Sequence, residues 1–224
     1  MKKLTSAGSQ AYTPLTLKLY DWWVLGISNK YAWKCSTKEK LIPHFTKHAG
    51  MEHLDIGVGT GFYLPHLPST TNISLMDLNP SSLAAASRRD SAIKIKECIQ
   101  HDVFETIPIK YHAKFDSISM FYLLHCLPGT LKEKERVIVN VANALKPDGT
   151  LYGATILGDS AAHSRFGNKL MKIYNSKGIF SNREDSEQDL HSVLSSNFVD
   201  VNVVRVGKVV IFSAKGRALK QRLA

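Results

Sequence analysis

Cysteine is scarce in this chain. Cys35, Cys98 and Cys126 stand far apart, and no C-x-x-C pair occurs. An odd, dispersed set argues against a disulfide framework and favours a reducing, cytoplasmic setting. Long apolar runs are also missing. Met1-Lys2-Lys3 is followed by the polar Ser6 to Thr13 rather than by a signal-peptide core, and the apolar stretch Leu15 to Ile27 is broken by Lys18 and Asp21. A bilayer-spanning helix is therefore not expected. Acidic residues are outnumbered, with Asp+Glu 19 against Lys+Arg 29 and a net charge of +10, which favours anionic partners. The basic residues are scattered, however, and the only dense group is Lys215, Arg217, Lys220 and Arg222, so a nucleic-acid partner is disfavoured. Internal repeats and low-complexity segments are absent.

What is present reads as one domain of 224 residues with an ordinary apolar fraction of 44%. It divides into a helical amino-terminal cap (1–50), a core (51–157) and a final part (158–224). Pro14 suits the first turn of a helix, and Leu15, Leu19, Trp22 and Trp23 recur at helical spacing. A second helix is predicted from Thr37 to about His48. From Glu52 onward, apolar runs at 53–58, 73–78, 95–101, 115–122 and 150–157 read as strands. Helices are expected between them at 62–67, 80–90 and 131–145. Thr130 and Glu133 form a capping box for the last of these. This alternation predicts an α/β fold, Rossmann-like, with a mostly parallel sheet. Helices at 161–174 and 185–196 follow. Strands at 199–206 and 209–214 are separated only by Gly207-Lys208, which predicts an antiparallel hairpin.

The stretch carrying the chemistry is His53-Leu54-Asp55-Ile56-Gly57-Val58-Gly59-Thr60-Gly61-Phe62. A strand ends in a carboxylate, and three alternate glycines follow. Glycine allows positive φ and close approach of a ligand to the backbone, and a helix opening after the turn would offer unpaired N–H groups. The next two strands also end in acids, at Asp77-Leu78-Asn79-Pro80 and His101-Asp102-Val103. An acid at the second strand tip suits a ribose. An acid followed by a small apolar residue at the third could meet an exocyclic amine and a purine face. A nicotinamide site wants G-x-G-x-x-G. Here Phe62 follows Gly61, and Asp55 precedes the first glycine by two, which suits a ligand with a cationic amino-acid part.

Asp55-x-Gly57-x-Gly59-x-Gly61, Asp77, Asp102-Val103 and the strand Phe115-Asp116-Ser117-Ile118 resemble, in order, the motifs of class I S-adenosylmethionine-dependent methyltransferases. Within that class, Tyr20-Asp21 and Asp77-x-Asn79-Pro80 are similar to small-molecule enzymes of the ubiquinone-biosynthesis-like groups. The resemblance implies a seven-stranded sheet whose last strand is antiparallel, and S-adenosyl-L-methionine as cofactor. It implies that Asp55, Gly57, Gly59 and Gly61 flank the methionine part, that Asp77 with Leu78 binds the ribose, and that Asp102 with Val103 holds the adenine. Phe121 would line the site and Tyr20 would cover it.

For the transfer itself, the candidate stretch is Met120 to Gly129, at the same sheet edge. His125 is the base it offers, an imidazole being able to accept a proton near neutral pH; a structural role is the alternative. Tyr122 could orient an acceptor. Metal ligands are lacking there, and no metal is expected. Trp23, Tyr174, Asn175 and Phe180 are the candidate acceptor contacts, and their aromatic character suggests a flat, apolar small molecule. Two alternatives stay open: methylation of RNA, and a fold that binds the cofactor without methyl transfer. The oligomeric state, a homodimer included, also stays open.

Overall fold

The computed structural model of the chain describes residues 21–158 and 164–218, with side chains from Gly26 onward. Tyr20, the expected helix start at Pro14 and the basic residues Lys220 and Arg222 lie outside the described residues, as do the side chains of Trp22 and Trp23. Seven strands form one sheet: β1 (Glu52–Ile56), β2 (Asn72–Asp77), β3 (Ile95–Gln100), β4 (Phe115–Phe121), β5 (Leu145–Ile156), β6 (Phe198–Val206) and β7 (Val209–Arg217). Their order is β3-β2-β1-β4-β5-β7-β6. The first five are parallel, and β7 runs antiparallel to both β5 and β6. The predicted hairpin is thus present, with its second strand inserted between the first and β5.

β1 and β4 are buried along nearly their whole length, as expected of parallel strands covered on both faces. One face carries α5 (Leu131–Ala144) and α7 (Glu187–Ser195), which contribute Val137, Val141, Leu190 and Leu194 to the core. The other carries the amino-terminal cap with α4 (Pro80–Ser87) and α6 (Arg165–Ser176). The cap comprises the π-helical segments α1 (Asp21–Ala32) and α2 (Thr37–Leu41), the latter running into α3 (Ile42–His48). Phe45 of α3 is the cap's main anchor. It is fully buried against the rings of His53, Tyr63 and Phe121, with centroids 5.2–5.6 Å away. The Thr130–Glu133 capping box forms as predicted, the Thr130 N–H donating to Glu133 Oε2 at 2.7 Å.

Two expectations are corrected. Residues 62–67 form no α-helix but a single 3₁₀ turn, Leu64–His66. Pro65 removes a helical donor, and Pro68 disfavours the α conformation at Leu67. The glycine turn therefore opens into a tight bend rather than a helix N-terminus. β5 also begins earlier than the predicted Thr150. Leu145 already pairs with Phe115, and the ladder shifts register before resuming at Ser117 with Thr150, so Lys146-Pro147-Asp148-Gly149 forms an irregularity within the strand.

Candidate active site

Because β1 to β4 are parallel, their carboxyl ends meet at one edge, and the strand order reverses about β1 there. Open α/β sheets bind ligands at such a place. A cleft of about 1190 Å³, open mouth included, lies at this edge. Asp55, Asp77 and Asp102 line it together with Gly57, Gly59, Leu78, Val103, Phe121 and Tyr122. The three acids, distant in sequence, are brought to one wall.

The glycines divide by role. All three have positive φ: +74° at Gly57, +53° at Gly59 and +70° at Gly61. A Cβ on Gly59 would meet nothing within 4 Å, so this glycine faces ligand space. A Cβ on Gly57 would press on Leu123 at 3.0 Å. Gly61 is absent from the cleft wall; a Cβ there would sit 2.9 Å from Ala86 Cα in α4. Its close contact is with α4, so it packs the turn onto that helix. Both Gly59→Ala and Gly61→Ala incur the left-handed backbone penalty, about 1–2 kcal/mol. Only Gly61→Ala also forces α4 off the turn, so its melting temperature should fall clearly further. Equal losses in a thermal scan would contradict this division.

The carboxylates are held differently. Asp55 is buried and accepts a hydrogen bond from Ser119 Oγ at 2.5 Å. Burial pushes its pKa up to about 7; the Ser119 bond lowers it and nearby Asp77 raises it. Burial also raises the pKa of Asp77, opposed by the backbone N–H groups of Asn79, Gly59, Val58 and Leu78. Asn79 N–H donates to Asp77 Oδ1 at 2.8 Å, while its own side chain caps α4 by accepting from Ser81 N–H. Asp102 accepts from Phe104 N–H at 3.0 Å, a local turn that fixes its carboxylate at the cleft.

The residues expected to act on an acceptor are less concentrated. Tyr122 lines the cleft, but its buried hydroxyl donates to Asn29 Oδ1 at 2.8 Å, and Asn29 in turn donates to Thr37 Oγ1. Its φ of +58° is a strained value for a bulky residue. His125 is not on the cleft wall. It is 2% exposed, accepts from Ile156 N–H at Nδ1 (3.3 Å), and stacks edge-on against Phe180 at 4.5 Å. Burial, with Lys134 adding, lowers its pKa to about 3, so it is a neutral packing group and not a base poised near neutrality. Tyr174, Asn175 and Phe180 also sit behind the wall. Asn175 donates to Met171 O and to Asn182 Oδ1, and Tyr174 packs on Phe180 at 4.9 Å. Their neighbour Ile179 reaches the cleft instead. Cys126 lines the cleft too, but burial pushes its thiol up to about 12, which disfavours a nucleophilic thiolate.

His125 carries a pH prediction. Its folded pKa lies below its unfolded value, so burying it neutral stabilises the fold above about pH 6.5 and that contribution is lost on acidification. His125→Gln, which keeps an acceptor for Ile156 N–H but cannot take charge, should lose about 1 kcal/mol less stability than wild type between about pH 7.5 and 5.5. Parallel losses in denaturant titrations would refute the assignment.

Two wall residues, Tyr63 and Ser82, had no signal in the sequence beyond their position. Asn29, which holds Tyr122 from the cap, likewise offered none.

The sequence model of the family described as "Methyltransferase domain" matches residues 54–151, the stretch containing all three acids. The chain is 42% identical over 218 residues to the physcion biosynthesis cluster O-methyltransferase of Aspergillus chevalieri, covering 96% of this chain and 98% of that protein. The chain belongs to the class I S-adenosylmethionine-dependent methyltransferases. The methyltransferase is also 60% identical over 193 residues to the uncharacterized protein YbcY of Escherichia coli (strain K12), covering 86% of this chain and all of that one. In fold it is similar to the crystal structure of a SAM-dependent methyltransferase from Aquifex aeolicus. That likeness has a TM-score of 0.57 at 18% identity and covers 92% of this chain and 98% of that one. Among the described residues, no helix is long and apolar enough to cross a membrane.

Proposed function

We propose that this methyltransferase moves a methyl group from S-adenosylmethionine to an oxygen or nitrogen of a flat, apolar small molecule. The observation that carries this reading is a cleft whose lining combines three strand-tip carboxylates with the largely apolar set Leu123, Cys126, Leu127, Pro128 and Ile179. The open space beside Gly59 fits a ligand lying against the backbone. The name of the Aspergillus chevalieri relative, an O-methyltransferase of a biosynthesis cluster, supports a small-molecule acceptor.

When bound, S-adenosylmethionine supplies an activated methyl group on a sulfonium, so the protein's task is alignment and exclusion of water. Asp77 would accept from the ribose hydroxyls, with Leu78 beneath. Asp102 would accept from the adenine amine, with Val103 against the ring. Asp55 would face the cationic amino group of the methionine part. Phe121, buried among Phe45, Tyr63 and Tyr152, forms a rigid floor. Alignment of two bound reactants can contribute about 7–11 kcal/mol to lowering the barrier. With His125 buried behind the wall and the Tyr122 hydroxyl engaged by Asn29, alignment rather than a dedicated base carries the rate.

The test is a transfer assay with methyl-labelled S-adenosylmethionine across a panel of phenols, nitrogen heterocycles and RNA. Label is expected on an aromatic small molecule. Transfer to RNA alone, falling steeply with salt, would overturn the reading, as would cofactor binding without any methyl transfer.

A further inference from the structure

Beneath the cleft runs a line of buried polar side chains that no ligand contact explains. His53 of β1 is fully buried, as are Ser117 and Ser119 of β4 on either side of it. Gly50 N–H donates to Ser117 Oγ at 2.8 Å. Ser117 Oγ lies 2.8 Å from His53 Nδ1, and His53 Nε2 lies 3.1 Å from Ser119 Oγ. Ser119 Oγ donates to Asp55 Oδ1. The line thus connects a backbone donor at the base of β1 to the carboxylate at its tip. An isolated polar group in this position would be costly, so the direction of each proton matters.

Counting protons settles that direction. Ser119 has one hydroxyl proton and three polar neighbours: His53 Nε2, Asp55 Oδ1 and the Tyr152 hydroxyl, which carries a proton of its own. If it goes to Asp55, the Ser119 oxygen must accept from His53, which places the imidazole proton on Nε2. Nδ1 is then an acceptor, and Ser117 can donate to it while accepting from Gly50. Every donor and acceptor on the line is used, the second lone pair of Ser119 is left for the Tyr152 hydroxyl, and Asp55 is an anion. In the other tautomer, Nδ1–H would point at Ser117, whose carbonyl offers a competing acceptor. Nε2 would then compete with Asp55 for the single Ser119 proton, and only a protonated Asp55 would restore the balance. The buried tautomer of His53 and the charge on Asp55 are therefore one choice. The fixed Gly50 N–H favours the first arrangement.

We propose that His53, held as its Nε2–H tautomer, is a positioning residue that acts through Ser119 to keep Asp55 an ionised acceptor for a cationic group in the cleft. The proposal rests on the reading of the cleft as the S-adenosylmethionine site for the identity of that cation, but not for the proton arrangement itself. Asp55 is also faced by Asp77 from β2 and by Tyr152 from β5, on whose ring His44 and His48 of α3 stack. Burial and the Asp77 charge oppose ionisation of Asp55, and the Ser119 bond opposes them in turn. Removing that bond should move the pH at which a cationic ligand begins to bind upward.

Nitrogen-15 NMR of the histidine-labelled, ligand-free protein at neutral pH tests the arrangement directly. His53 should be uncharged with its proton on Nε2; a proton on Nδ1 would overturn the proposal whatever the protein binds. Calorimetry with S-adenosylhomocysteine at several pH values then tests the consequence. Ser119→Ala should weaken binding by about 10-fold and shift its pH midpoint upward, since a hydrogen bond to a charged group is worth about 1.5–3 kcal/mol. His53→Gln, which can place an amide N–H near Nε2, should restore much of what His53→Leu loses. If wild type binds S-adenosylhomocysteine and Ser119→Ala binds equally well with the same pH midpoint, the proposal fails alone. If wild type does not bind it, the reading of the cleft fails, and the NMR result still decides the tautomer.

Discussion

Asp77→Ala is expected to weaken S-adenosylhomocysteine binding by about 30- to 100-fold while leaving the fold intact, a loss of about 2–3 kcal/mol, within the range of one hydrogen bond to a charged group. The size follows from the position. Asp77 ends β2, pairs in register with Gln100, and lines the cleft beside Gly59. Its carboxylate is oriented from behind by Asn79 N–H, so the geometry does not depend on the ligand arriving. Because Asn79 and Pro80, not Asp77, begin α4, truncation at 77 spares the helix start. Calorimetry at neutral pH with circular dichroism as a fold control is sufficient. Affinity within about twofold of wild type, roughly 0.4 kcal/mol, would remove Asp77 from the site. Asp77→Asn should fall between, since an amide oxygen still accepts but carries no charge.

Lys134→Met should be the most destabilising single change on the helical face, with a loss of about 3–5 kcal/mol. Lys134 projects from α5 into the interior, where its ammonium donates to Asp185 Oδ2 at 2.7 Å and Ser181 O at 2.8 Å. Both side chains are 1% exposed. Burial pushes each toward its neutral form, and their mutual attraction opposes it. Removing the lysine strands a buried carboxylate whose Oδ1 already lacks a hydrogen-bond partner. The double variant Lys134→Met/Asp185→Leu should regain most of the loss, because it leaves no uncompensated charge. A double variant as unstable as the single one would show that packing, not charge, sets the effect. The pair also ties residues 181–185 to α5, just beyond Ile179 on the cleft wall. Single-variant protein that remains folded should therefore show weaker acceptor binding than cofactor binding.

Much of this methyltransferase was legible in one dimension because its signals are local. Alternation of apolar runs with helical spacing predicts βα units, since each element must bury one face. The Thr130–Glu133 box and the Gly207-Lys208 gap are short-range devices, and both are realised. The acids Asp55, Asp77 and Asp102 could be read as a row because a strand tip is a place defined by the chain itself, and parallel strands align their tips. The turn at 62–67 was misread because the glycine motif suggested a helix, while Pro65 and Pro68 permitted only one 3₁₀ turn.

What the sequence determined by itself, then, is the fold class, the family and the three carboxylates at the sheet edge. Only tertiary structure decided which neighbours face the ligand. His125 and Ile179 look equally eligible along the chain, yet burial beneath Phe180 takes His125 out of the cleft while Ile179 enters it. Gly59 and Gly61 look alike in the motif, yet only Gly61 lies against α4. His53 reads as one more strand residue until the β1–β4 register sets Ser117 and Ser119 on either side of it. Side-chain direction and desolvation depend on partners distant in sequence, and no local pattern encodes them.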